Sequence, residues 1–182
     1  MIKVKNILSL LLVLILFAAQ LLHPQDEEEE SETSQEEILA VVRAQAAGSA
    51  GGIIFIAAGA GKDVDFIADL AGQLTDILAT EIALQATVLD IPRELLIAAT
   101  IQGSVEGAVA SATIAGMDAD AIAQIRAAAG NVSEPVVAML GSLSLEDILG
   151  NVDPTQLIAE VTETGITDAD IAALGEGMEE QS

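Results

Sequence analysis

Aspartates separated by a single residue recur three times in the sequence, and these pairs are the residues best suited to chemistry. They are Asp63/Asp65, Asp118/Asp120 and Asp168/Asp170. Clustered carboxylates favour hard cations such as Ca²⁺, so the pairs are the candidates for a metal site. An EF-hand loop starting at Asp118 would need Gly at its sixth position and Glu at its twelfth, where this chain has Ala123 and Ala129. The pattern therefore does not match that calcium loop.

The aspartate pairs each follow a glycine by two or three residues and precede an apolar run. The glycines are Gly61, Gly116 and Gly165. A carboxylate at a helix start accepts hydrogen bonds from free backbone N–H groups and complements the helix dipole. We therefore interpret the pairs as a helix-start motif used three times, and predict no metal and no cofactor.

Residues for nucleophilic catalysis are scarce. The chain has no Cys, its single histidine is His23, and the sole lysine after the N-terminal segment is Lys62. Neither G-x-S-x-G nor S-x-x-K occurs, and a zinc site built from His or Cys is excluded. A pair of carboxylates could still act as acid and base in a hydrolase. We predict a protein that is not an enzyme, with a carboxylate-only hydrolase as the third hypothesis.

The charge balance restricts the partners. The chain has 29 acidic and 6 basic residues, for a net charge of −23. Such a surface repels nucleic acid phosphates, so we exclude nucleic acid as a partner. The classes of interaction that the charge does not exclude are a protein partner and self-association.

The N-terminus has the layout of a secretory signal. Lys3 and Lys5 precede an unbroken apolar run over residues 7–19. Residues 1–22 are either a cleaved signal peptide or an uncleaved anchor, because a cut after Ala19 would leave bulky Phe17 where small residues are preferred. Residues 23–33 are predicted to be a disordered acidic linker. We expect an exported protein, secreted or periplasmic, that contacts membrane only through residues 1–22.

The elements that would position any site are helices around a central one at about 92–115. Asp90 is predicted to cap this helix, with Pro92 in its first turn. Small residues recur at every fourth position and form a predicted helix-packing face: Ala99, Gly103, Gly107, Ser111 and Ala115. A small-residue face lets another backbone approach closely, and a helix apolar nearly all round is usually buried.

The remaining segments also read as helices, which predicts an all-α fold: an irregular bundle of short and medium Ala-rich helices over residues 34–175, followed by an acidic tail at 176–182. The first helix begins with a capping box at Ser34 and frays in Gly48–Gly52. Residues 53–56 could be a strand or a helical turn, and we favour a helix. Further helices are predicted at Asp63–Leu89, Asp118–Ala129, Ser133–Leu140, Ser144–Leu149, Asp153–Glu163 and Thr167–Leu174.

The apolar face of Asp63–Leu89 includes Leu84 and Val88. Glu81 and Gln85 interrupt that face, which predicts either a break in the helix or a buried polar pair.

These observations favour an exported, non-enzymatic, acidic helical protein with a structural or protein-interaction role at or outside the cell envelope. The alternative is a membrane-active protein that inserts residues 44–61 and the small-residue face of the central helix into a bilayer. Glu106 in the middle of the central helix argues against insertion.

Overall fold

Seven α-helices make up the part of the chain that the computed structural model describes, residues 34–164. They are α1 (Gln35–Gly59), α2 (Val64–Leu89), α3 (Arg93–Ile114), α4 (Ala119–Gly130), α5 (Glu134–Met139), α6 (Leu145–Gly150) and α7 (Thr155–Thr164). The helical segments predicted between residues 34 and 164 are therefore confirmed. The predictions for residues 1–33, for Thr167–Leu174 and for the tail at 176–182 concern residues outside the described part.

Helix α3 is the centre of the bundle. It contacts each of the other six described helices. Ile97, Ile101 and Val105 on this helix are fully buried. A helix that is apolar on nearly every side buries that surface only when neighbours surround it, so the others pack around α3.

The glycines of the recurring helix-start motif adopt the left-handed conformation. Gly61 has a φ of 66° and Gly116 a φ of 72°, and each lies two residues before the aspartate that precedes the next helix. This backbone conformation suits glycine because it has no Cβ. The motif therefore ends one helix and starts the next. Its third copy, at Gly165, lies outside the described residues.

The prediction for Asp90 was wrong. Asp90 caps the C-terminus of α2 in the left-handed conformation (φ 53°), and its N–H donates to the carbonyl of Ala86. Asp tolerates this conformation better than most residues do. Pro92 occupies the position before α3, and no side chain caps that helix.

The predicted fraying of the first helix at Gly48–Gly52 was also wrong. Helix α1 continues from Gln35 to Gly59, and residues 53–56 are helical. Each helical Gly costs about 1 kcal/mol relative to Ala. Ala47, Ala50 and Gly51 are buried against the bundle, so tertiary packing offsets this cost.

The predicted apolar face of α2 ends earlier than expected. Ile67 and Leu78 are buried, but Leu84 is 70 % exposed and Val88 is 80 % exposed. Neither prediction for Glu81 and Gln85 holds, because α2 is unbroken there and both side chains are half-buried. Ala83, Ala86 and Leu89 still pack against the core, so the last turns of α2 contact it through a different side of the helix from the one predicted.

Candidate functional site

The aspartates that begin the motif act as helix caps in the two copies that the structure describes. Asp63 Oδ1 accepts a hydrogen bond of 2.8 Å from the N–H of Phe66. Asp118 Oδ1 accepts one of 2.8 Å from the N–H of Ala121. Both aspartates have extended backbone conformations, as N-cap residues do. These carboxylates therefore satisfy backbone donors at helix starts.

The second aspartates of the pairs have different surroundings. Asp65 Oδ1 accepts a hydrogen bond of 2.7 Å from Gln124 Nε2, which links the start of α2 to α4. Asp120 is exposed in the first turn of α4. Asp168 and Asp170 lie outside the described residues. Between residues 34 and 164, no group of three or more His, Cys, Asp or Glu side chains could hold a metal ion.

Glu106 and Arg43 form an ion pair that the sequence analysis missed. The Glu106 side chain is only 6 % exposed. Arg43 Nε donates to Glu106 Oε2 at 2.8 Å, and Arg43 Nη2 donates to Oε1 of the same carboxylate. A guanidinium that donates two N–H groups to the two oxygens of one carboxylate forms a strong bidentate interaction with a defined orientation. The hydrogen bonds with Glu106 raise the pKa of the Arg43 guanidinium above its ordinary value.

The same carboxylate also holds the segment before α7. Glu106 Oε1 accepts a hydrogen bond of 2.9 Å from the N–H of Asp153, and Arg43 Nη2 donates to the carbonyl of Asn151 at 3.3 Å. The Asp153 carboxylate accepts hydrogen bonds from the hydroxyl and the N–H of Thr155, which lower its pKa. The cluster therefore ties α1, α3 and the start of α7 together.

The signals for this cluster in the sequence were isolated charges in apolar surroundings. Glu106 is an acid inside an apolar helix, and Arg43 is the sole base of α1. Buried charges need partners, so a lone Glu and a lone Arg are candidates to pair. Because the two residues are 63 positions apart, the sequence alone does not show that Arg43 pairs with Glu106.

The small residues of α3 lie directly against the backbone of α1. A Cβ added at Gly103 would lie 2.0 Å from the carbonyl oxygen of Arg43, and one at Gly107 would lie 2.0 Å from that of Ala47. From the other side, a Cβ on Gly51 would lie 2.8 Å from Ser111 Oγ. At these positions only glycine allows the two helices to come this close.

The two ends of the predicted packing face differ. Ala99 is buried. Ala115 is exposed and lies one residue past the end of α3, so its inclusion in the packing face was wrong. The face stops at Ser111 because the helix ends at Ile114.

The opposite side of α1 is open. Five residues spaced four apart, all small or apolar, are exposed: Ala40, Ala44, Gly48, Gly52 and Ile56. A Cβ built on Gly48 or Gly52 would meet no atom within 4 Å. We call these five residues the outward face of α1.

An apolar groove includes part of this face, at Gly48 and Gly52. It has a volume of about 240 Å³ and is bordered by α1, α3 and α7. Gly51 and Gly107 line it where the helices meet, and Phe55, Ile114 and Leu157 contribute the larger side chains. We call this feature the α1–α3 groove.

Two described helices are long and apolar enough to cross a membrane by length and composition alone. They are α1, of which 33 % of the most apolar window is buried, and α3, of which 78 % is buried. Buried core helices pass the same test, and α3 is one of these. Helix α1 differs because most of that apolar window is not buried.

Comparisons with known proteins give no relative. No family model, no curated protein and no solved structure matches this chain.

Proposed function

We propose that this chain is an exported, non-enzymatic helical protein that binds an apolar helix of a protein partner at or outside the cell envelope. The observation that carries the proposal is the outward face of α1. This face is small and apolar over four turns. Small residues on a helix allow a second helix to approach closely and to make many van der Waals contacts.

The other side of α1 supports this role. Arg43 and Ala47 contact α3 through their backbone carbonyls, and the Arg43 side chain is paired with Glu106. Helix α1 is therefore held on the bundle along one side. A surface held rigidly in its binding conformation loses less conformational entropy on association, which favours binding.

The described carboxylates support a role without catalysis. Asp63 and Asp118 cap helices, and Glu106 accepts hydrogen bonds from Arg43 and from the Asp153 backbone. These acids satisfy structural donors. A hydrolase working with carboxylates alone would need two of them to face a substrate across a cleft.

A membrane-active function is the second candidate, because the apolar window of α1 is largely unburied. Inserting α3 as well would separate Glu106 from Arg43 or carry the ion pair into lipid, which is costly. Removing α1 from α3 would also expose the glycine contacts at Gly103 and Gly107. The protein-binding function requires neither change.

Site-specific photo-cross-linking in the native cells tests the proposal. A cross-linking residue at Ala44 should give one discrete protein adduct, and the same residue at Gln73, exposed on α2, should not. Both positions are exposed helical sites, so the comparison controls for accessibility. Adducts with lipid alone at position 44 would support the membrane-active function, and equal labelling at both positions would contradict the proposal.

Export requires its own measurement. The mature protein should start near residues 19–26, or the intact chain should fractionate with membranes, as the N-terminal lysines and apolar run suggest. N-terminal sequencing of protein from medium, periplasm and membrane distinguishes these results. Finding an intact Met1 in the soluble cytosolic fraction would contradict export.

A further inference from the structure

The α1–α3 groove is an apolar surface that three helices border but do not fill. Gly48, Gly51, Gly52 and Phe55 line it from α1, and Leu157 reaches it from α7. An apolar cavity of about 150 Å³ holds a group the size of benzene. The volume of about 240 Å³ is therefore enough for one or two aliphatic side chains.

We propose that the segment Thr167–Leu174 of the same chain docks in this groove and covers it with Ile171 and Leu174. These two residues are three positions apart, so a helix would place them on one face. Docking removes the apolar lining of the groove from water, which drives the association. The groove shares Gly48 and Gly52 with the outward face of α1, so this segment and the proposed partner would compete for these two residues.

The course of the chain brings this segment within reach. Leu157 borders the groove, and α7 ends at Thr164, seven residues later, a distance of roughly 10 Å along a helix. Gly165 follows directly, and Gly commonly ends a helix and redirects the chain. A segment that turns back there returns to the level of Leu157 after about seven helical residues, which is where Ile171 and Leu174 occur.

Tethering favours this occupant over a second copy of the chain. A segment tethered to α7 is already present at an effective concentration of about millimolar for a short link, and it needs no second chain. The 18 residues after Thr164 supply enough chain for the contact.

Disulfide trapping in the full chain tests the inference, because the chain has no Cys of its own. Gly52→Cys introduces a thiol at an exposed position with open space around it. It is combined in turn with a single Cys at each of positions 169–174. The matched control series replaces Gly52→Cys with Gln73→Cys, an exposed position on α2 that does not line the groove.

Docking predicts intramolecular disulfides in the Gly52 series that form about tenfold faster than in the Gln73 series, at a rate independent of protein concentration. The rate should peak at positions on one helical face, since thiols pair only when their Cα atoms are within about 7 Å. Equal rates in the two series, or a flat profile across 169–174, would overturn the inference. Disulfide-linked dimers as the main product would show that a second copy occupies the groove.

A second measurement separates docking from random contact of a tail. Ile171→Asp should reduce trapping from the best position to the level of the control series, and should raise the binding of an apolar fluorescent dye by exposing the groove. Met178→Asp adds the same charge outside the segment and should change neither quantity. An Ile171→Asp variant with unchanged trapping and dye binding would contradict the inference.

Discussion

Glu106 lies in the middle of the most buried helix, yet its carboxylate accepts hydrogen bonds from two other segments. Arg43 of α1 donates through its guanidinium and Asp153 donates through its backbone N–H. Burying a charge without partners costs free energy. The bidentate guanidinium and the backbone N–H compensate this cost for the Glu106 carboxylate. The residue therefore fixes where α1 and the start of α7 lie along α3.

The first prediction concerns this ion pair. Arg43→Met removes the guanidinium donors and leaves the buried Glu106 carboxylate with fewer partners, so the free energy of unfolding should fall by about 1–3 kcal/mol. In the double variant Arg43→Met/Glu106→Leu the uncompensated charge is gone, and the loss should be smaller than the sum of the single losses. Chemical denaturation of the wild type, Arg43→Met, Glu106→Leu and the double variant measures the interaction energy between the two residues.

Arg126→Met is the matched control, because Arg126 is exposed on α4. Its unfolding free energy should stay within about 0.5 kcal/mol of the wild-type value. Additive losses for Arg43 and Glu106 would show that the pair contributes no interaction energy.

The second prediction distinguishes capping from metal binding at an aspartate pair. Asp118 accepts a backbone hydrogen bond, so Asp118→Ala should cost about 1 kcal/mol of stability. Asp120 is exposed in the same first turn, and Asp120→Ala should lose only the dipole contribution, about 0.3–1 kcal/mol. Calorimetric titration with Ca²⁺ should show no stoichiometric binding. A tight isotherm that Asp118→Ala abolishes would contradict the capping interpretation.

At the scale of elements, α1 has two sides with opposite requirements for side-chain size. On the side toward α3 there is no room for a Cβ at Gly51, nor at Gly107 of α3 opposite it, whereas the outward side has open space at Gly48 and Gly52. Both sides are apolar and rich in Gly and Ala, so sequence composition alone does not distinguish them. The distinction comes from which side meets α3.

The third prediction uses this contrast. Gly107→Ala places a Cβ against the carbonyl of Ala47 and should lower the free energy of unfolding by about 1–3 kcal/mol through overpacking, partly offset by about 1 kcal/mol of better helix propensity. Gly48→Ala makes the same chemical change where no atom lies within 4 Å, and should stabilise by up to about 1 kcal/mol. Thermal unfolding monitored by circular dichroism compares the two. Equal shifts in Tm would show that α1 and α3 are not in close contact at Gly107.

At the scale of the whole molecule, local patterns predicted most of the helices but not their contacts. Caps such as Asp63 and Asp118, together with Gly61 and Gly116, are local signals, and they marked helix boundaries correctly. Asp90 was misassigned because the same residue type can end one helix or begin the next. A local signal does not decide between the two when the connection is only three residues long.

Several features that depend on tertiary structure were mispredicted or missed. Helix α1 continues through its glycines because Ala47, Ala50 and Gly51 are buried against the bundle, and Leu84 is exposed because Ala83, Ala86 and Leu89 contact the core instead. Arg43 and Glu106 are 63 residues apart in the sequence, and the sequence around each of them does not indicate its partner. The α1–α3 groove likewise arises only when three helices meet.

The outward face of α1 is proposed to contact water and a protein partner rather than lipid. Vesicle flotation of the chain from Ser34 onward, without its N-terminal segment, tests this claim directly. We expect this protein to be soluble and helical without detergent and to stay in the soluble fraction in the presence of neutral and anionic vesicles. A protein that needs detergent, or that floats with the vesicles, would contradict this claim and favour the membrane-active function.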